Sequence, residues 1–174
     1  MPDLSPAQSQ KRVISSALAS APAFEQAHLI SYIQLADAKA AVFLAIASGA
    51  IAYVAGHYGL GWIREKHFFA HTIVLLLTTT VLLVSAALNI AVILPRRRKT
   101  ERGVTFYHDV ARIEPPSRYV EIVQSMSDAD VLREQFDYCH ALARICAIKY
   151  RLLYYGFVME MIGYAIFLGL LLWW

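Results

Sequence analysis

Three blocks of uncharged, apolar residues decide what this chain can fold into. Ala40 to Ile63 contains no Asp, Glu, Lys or Arg, His67 to Pro95 contains none either, and Leu152 to Trp174 carries only Glu160. Each reaches the roughly 20 residues needed to cross about 30 Å of hydrocarbon at about 1.5 Å per residue. Inside lipid every backbone N–H and C=O needs an internal partner, so such a stretch must be helical, and no alternating barrel pattern competes. The fold class that follows is an all-α membrane protein. It has three transmembrane helices with cytoplasmic helical extensions, and a cytoplasmic helical section between the second and third spans. Composition agrees, with 58% hydrophobic and only 17% charged residues. The first block starts too late and runs too long for the core of a cleaved signal, so it is expected to stay in the membrane.

Lys and Arg set the expected orientation. Between the first two blocks there are only Arg64 and Lys66. After the second come Arg96, Arg97, Arg98, Lys99 and Arg102, followed by Arg112, Arg118, Arg133, Arg144, Lys149 and Arg151. The amino-terminal stretch adds Lys11, Arg12 and Lys39. The amino terminus therefore belongs inside the cell and the carboxyl terminus outside, with Trp173 and Trp174 anchoring the outer interface. The expected order is a mobile arm over 1–21, a cytoplasmic helix over 22–39 and a first span over 40–62. A short outer loop over 63–70 leads to a second span over 71–94. A cytoplasmic helical section over 95–151 then leads to a third span over 152–174.

The polar sections carry their own signals. Leu29, Ile33, Ala36 and Ala40 recur at helical spacing, so a helix beginning at Pro22 runs on into the first span. Val104 to Ile113 reads as a short helix closed by Glu114-Pro115-Pro116, and Ser117 as the cap of a second one through Met126. Ser127, with Asp128 and Asp130 behind it, opens a third. No Pro or Gly follows until Gly156, so this helix should continue through Lys149 into the last span. Leu132, Gln135, Cys139, Leu142, Cys146 and Lys149 form a 3-4 stripe on it, suited to packing on another helix. The two cysteines sit seven apart, unlike redox or zinc pairs, and read as small buried thiols.

Several polar groups then converge in depth. Asp37 and Lys39, Arg96 to Arg98, and Lys149 with Arg151 all fall at the inner membrane surface. The basic cluster is a topology anchor or a site for a phosphate or anionic head group. Asp37 makes a static salt bridge or a regulated contact. Glu160 lies about 12 Å into the third span, where an ionisable group faces other helices or water, and Gly156 and Gly163 share its face, which lets another backbone approach. Ser48, Ser85 and Asn89 lie at similar depth and would complete an intramembrane polar layer, either lining an aqueous path on assembly or hydrogen-bonded within the bundle. Ser48, Ala52 and Gly56, and likewise Ala41, Ala45 and Gly49, form small-residue stripes. His57, His67 and His71 read as interfacial polar residues, and no metal site is expected. There is no glycine-rich phosphate loop, nucleophile elbow or paired-carboxylate arrangement, so no catalytic residue, cofactor or nucleic-acid partner is expected.

Four short motifs, in order, resemble one family. They are Ala36-Asp37-Ala38-Lys39-Ala40 entering the first span, Pro95 with basic residues closing the second, Phe106-Tyr107-His108-Asp109-Val110, and Lys149-Tyr150-Arg151-Leu152 entering the last. Over about residues 24–174 the chain resembles the transmembrane effectors of Pycsar, a bacterial anti-phage system. The resemblance implies a protein that is not an enzyme and that sits in the bacterial inner membrane. In such systems a cyclase senses infection and makes cyclic CMP or cyclic UMP, and the effector impairs the membrane, causing abortive infection. The implied partners are the lipid bilayer, a cyclic pyrimidine nucleotide, further copies of the chain and the nucleotide cyclase. Asp37, Lys39, Lys149 and Tyr150 carry over as signal-responsive positions. Arg96, Arg151, Phe106 and Tyr107 join them on physical grounds, because a cyclic nucleotide offers one anionic phosphate and one flat base. The competing reading is a membrane-anchored adaptor that recruits a cytoplasmic partner, which requires an exposed apolar face on residues 128–149.

Overall fold

The computed structural model describes residues 6–62, 69–95, 110–111 and 113–172. These residues form four helices and no strand: α1 (Pro6–Trp62), α2 (Phe69–Ile93), α3 (Pro116–Ser125) and α4 (Asp128–Leu172). Three of them contain stretches long and apolar enough to cross a membrane: Ser20–Gly56 in α1, Thr72–Ile93 in α2 and Asp128–Gly169 in α4. The helix expected to begin near Asp128 does run unbroken into the last span, as the absence of Pro and Gly requires.

Two local expectations are corrected. Helix α1 begins at Pro6, within the stretch read as a mobile arm, and passes through Pro22 without a break. Proline removes one backbone hydrogen bond and crowds the preceding turn. Here Pro22 is fully buried, and its carbonyl accepts a hydrogen bond from the Cys139 thiol at 3.3 Å, so tertiary packing holds the helix together where local propensity would stop it. Ser117 does not cap α3. That role falls to Pro115, which has an extended backbone and makes no side-chain cap, with Pro116 in the first turn where a missing N–H is harmless. The cap at the start of α4 is as read from the sequence. Ser127 Oγ accepts the Asp130 N–H at 3.3 Å while Asp130 Oδ2 accepts the Ser127 N–H at 3.3 Å, a reciprocal capping box. The short helix expected over Val104 to Ile113 lies mostly outside the described residues.

The chain divides into two compact units, Met1–Tyr32 with Arg96–Cys146, and Ile33–Pro95 with Ala147–Trp174. In the first, the Pro22–Cys139 contact joins α1 to α4, and Pro22, Cys139, Ala141 and Leu142 are buried.

The second unit is a three-helix bundle. Along α1 and α4 the contacts advance together: Asp37 meets Lys149, Phe43 meets Phe157 and Tyr53 meets Phe167, so these helices run parallel. Between α2 and α4 they run in opposite senses, Asn89 lying against Gly156 and Leu82 against Gly163, so α2 is antiparallel. Ala36, Ala40, Val92 and Leu153 form a core where all three helices meet, with Phe43, Tyr150 and Leu152 packed around it.

Each helix buries a 3-4 stripe. On α2 it is Thr78, Leu82, Ser85, Asn89 and Val92; on α1 it is built around Ala36, Ala40, Ala47 and Val54. On α4 the stripe through Cys139, Leu142 and Lys149 continues as Leu153, Gly156, Glu160 and Gly163. Small and polar residues are inside, whereas Val42, Leu76, Leu83 and Leu168 are more than half exposed. This inversion suits lipid, where apolar side chains gain nothing by leaving the solvent and close backbone approach supplies the packing. Thr78, Thr79 and Thr80 satisfy their hydroxyls on the carbonyls one turn back at 2.7–2.8 Å, as polar side chains in such a helix must.

Candidate functional site

Two polar layers interrupt the second unit, about 16 Å apart along α4. The first is an ion pair. Lys149 lies on the buried stripe of α4, and its ammonium donates to Asp37 on α1. The Lys149 side chain is 5% exposed and that of Asp37 34%. A buried ammonium requires such a partner, so the pair ties α1 to α4 beside the Ala36–Ala40–Leu153 core. Tyr150 packs half-buried against the same core.

The other positions suggested by the sequence are placed differently. Lys39 is exposed, because residues two apart on a helix do not share a face. Arg151 is exposed. Arg96, Phe106 and Tyr107 lie outside the described residues. The structure thus brings Asp37, Lys149 and Tyr150 together and does not bring Lys39 or Arg151 to them.

The second layer is Ser85, Asn89 and Glu160. All three are buried, Glu160 with 1% of its surface exposed. Ser85 Oγ donates to the Gly156 carbonyl at 2.9 Å and lies 3.5 Å from Glu160 Oε2. Asn89 Nδ2 donates to the Ser85 carbonyl at 3.1 Å and approaches Ser85 Oγ at 3.4 Å. Tyr164 donates to Glu160 Oε1 at 3.1 Å. Asn89 Oδ1 is buried and accepts no hydrogen bond. It faces Gly156, where a Cβ would come within 3.1 Å of it, so a glycine is what lets α2 and α4 close around this layer.

Ser48 is not part of that cluster. It is exposed on α1, while its neighbour Ala47 is buried. Consecutive helical residues point about 100° apart, so equal depth does not give equal facing. Gly156 lies on the face expected for close approach, whereas Tyr164 is a member of the layer that sequence reasoning missed. The available signal was spacing: Tyr164 lies one turn beyond Glu160 and reaches its carboxyl along the helix surface.

A family model described as PycTM, Pycsar effector protein domain, matches residues 23–174. No curated protein and no solved structure matches the chain.

Proposed function

The chain belongs to the Pycsar effector family, an effector of anti-phage defence carrying three candidate membrane spans, and from that premise we propose that it answers a cyclic pyrimidine nucleotide by impairing the inner membrane. The nucleotide, cyclic CMP or cyclic UMP, comes from a partner cyclase, and the outcome is abortive infection. The asymmetry of Lys and Arg puts the amino terminus and the section after α2 in the cytoplasm, where the signal is made.

The observation that carries this reading is the Lys149–Asp37 pair. It falls on two positions of the family's motifs and joins the parallel helices α1 and α4. Lys149 is nearly inaccessible while it holds Asp37, so the singly charged cyclic phosphodiester of the nucleotide can take it only in an arrangement where the pair has opened. A ligand that binds that arrangement more tightly shifts the population toward it, and the shift cannot exceed the difference in affinity. With the pair open, α1 keeps its apolar contacts with α4, and the layer around Glu160 can rearrange.

Self-association fits the same unit. Leu35, Val42, Ile46 and Tyr53 stand exposed on one side of α1, and Gly49 among them has open space where a side chain would be. A second copy is a suitable cover for that side. The adaptor reading requires an apolar face on residues 128–149. The large apolar side chains exposed there, Val131, Phe136 and Ile148, project in different directions at about 100° per residue, which favours the effector reading.

The test is ion flux from liposomes carrying the full chain, with cyclic CMP, cyclic UMP, cyclic AMP and cyclic GMP added singly. Flux with one pyrimidine nucleotide is the expected result, reduced by Glu160→Gln without loss of nucleotide binding. Silence with all four, from inserted and folded protein, refutes it.

A further inference from the structure

The layer around Glu160 is short of positive charge, and the deficit has a definite place. Ser85 has one hydroxyl proton, and its 2.9 Å bond to the Gly156 carbonyl takes it. The 3.5 Å approach of Ser85 Oγ to Glu160 Oε2 is then an oxygen facing an oxygen. Tyr164 serves the other carboxyl oxygen, Oε1. The Asn89 amide nitrogen is engaged with the Ser85 carbonyl and lies 3.4 Å from Ser85 Oγ, and Asn89 Oδ1, fully buried, has no donor. No Lys, Arg or His donates to Glu160 among the described residues, the buried Lys149 being held by Asp37. A carboxylate 1% exposed and lacking a counter-charge cannot persist in an apolar interior.

We propose that Glu160, Ser85, Asn89 and the Gly156 carbonyl form an intramembrane binding site for a small monovalent cation. The ligand chemistry selects the class. All the donors are hard oxygens, which suit alkali and alkaline-earth ions and not zinc, copper or iron. There is one carboxylate and the rest are neutral, so one positive charge is balanced; divalent ions are usually held by more acidic sets. Gly156 lets Asn89 Oδ1 lie close against α4, since any side chain there would press on it. The site goes beyond the nucleotide response proposed above and does not depend on it; only its use as a station on the leak would rest on that reading.

The experiment is thermal unfolding of the purified full chain in detergent at one fixed pH and ionic strength, in sodium, potassium or choline chloride. Sodium or potassium is expected to raise Tm by about 4 °C over choline at saturation. Glu160→Gln, which keeps the shape of the side chain, and Ser85→Ala are each expected to abolish the difference while leaving a cooperative transition. Equal Tm in all three salts overturns the proposal, and means that the layer holds a proton only. The same rise in both variants also overturns it, since the ions would then act elsewhere. Neither result bears on nucleotide-triggered flux, and failure of that flux would leave a sodium-dependent Tm standing.

Discussion

Lys149 and Asp37 form an ion pair whose two halves are buried unequally, the ammonium side chain at 5% exposure and the carboxylate at 34%. The inequality fixes which half the fold can spare. Without Asp37, the ammonium is left buried and without its counter-charge. Without Lys149, the carboxylate still has water to solvate it. Asp37→Asn is therefore expected to destabilise the chain by about 3 kcal/mol and Lys149→Met by about 1 kcal/mol or less. The double variant should recover most of the loss. Denaturant unfolding of the detergent-solubilised protein measures all three, and equal effects of the two single changes would contradict the asymmetry.

The glycines of the bundle differ in what surrounds them. A Cβ on Gly163 would stand 2.8 Å from Leu82 Cδ2, and Leu82 is itself buried, whereas one on Gly49 would meet nothing within 4 Å. Gly163→Ala should force α2 away from α4 and cost about 1–3 kcal/mol. Gly49→Ala in a dispersed monomer should stay within about 0.5 kcal/mol of wild type. The same unfolding assay separates them, and a neutral Gly163→Ala would show that α2 does not approach α4 this closely.

At the start of α4 the capping box supplies a partner to the Asp130 N–H, which no residue of the helix can satisfy. Ser127→Ala removes that acceptor and should raise amide exchange at Asp130 about five-fold, while leaving Lys149 and residues beyond unchanged. Hydrogen exchange resolved along α4 reads this directly. Uniform acceleration along the helix would mean that its first turn is not an independent unit.

The spans were legible because roughly 20 uncharged residues in a row leave a chain one option in lipid. The continuity of α4 was legible because nothing between Asp128 and Gly156 breaks a helix. The 3-4 stripe ending at Lys149 was visible while polar residues marked the opposite face. Beyond it every side of the helix is apolar, yet Gly156, Glu160 and Gly163 still marked one face for close approach, and α2 meets it there through Asn89 and Leu82. Facing was the missing information elsewhere. Depth placed Ser48 beside Glu160, but its rotation on α1 turned it outward. Depth also gathered several cations near Asp37, and it took the packing of α1 on α4 to choose Lys149 among them. Pro22 misled for the opposite reason, since local propensity argues for a helix start and a tertiary contact overrules it.

That tertiary contact can be tested through its sulfur. Cys139 is 9% exposed and donates to the Pro22 carbonyl, whereas Cys146, two turns further along α4, is half-buried. A maleimide reagent must wait for local opening at the first and less so at the second. In the full chain Cys139 should react about ten-fold more slowly than Cys146. A variant lacking residues 1–22 loses Pro22 and the helix leading to it, so Cys139 should become the faster-reacting thiol while Cys146 changes little. Mass spectrometry of the labelled peptides follows both sites in one sample. Unchanged protection of Cys139 in the shortened chain would show that the helix around Pro22 is not what covers it, and would return residues 1–21 to the role of an unattached arm.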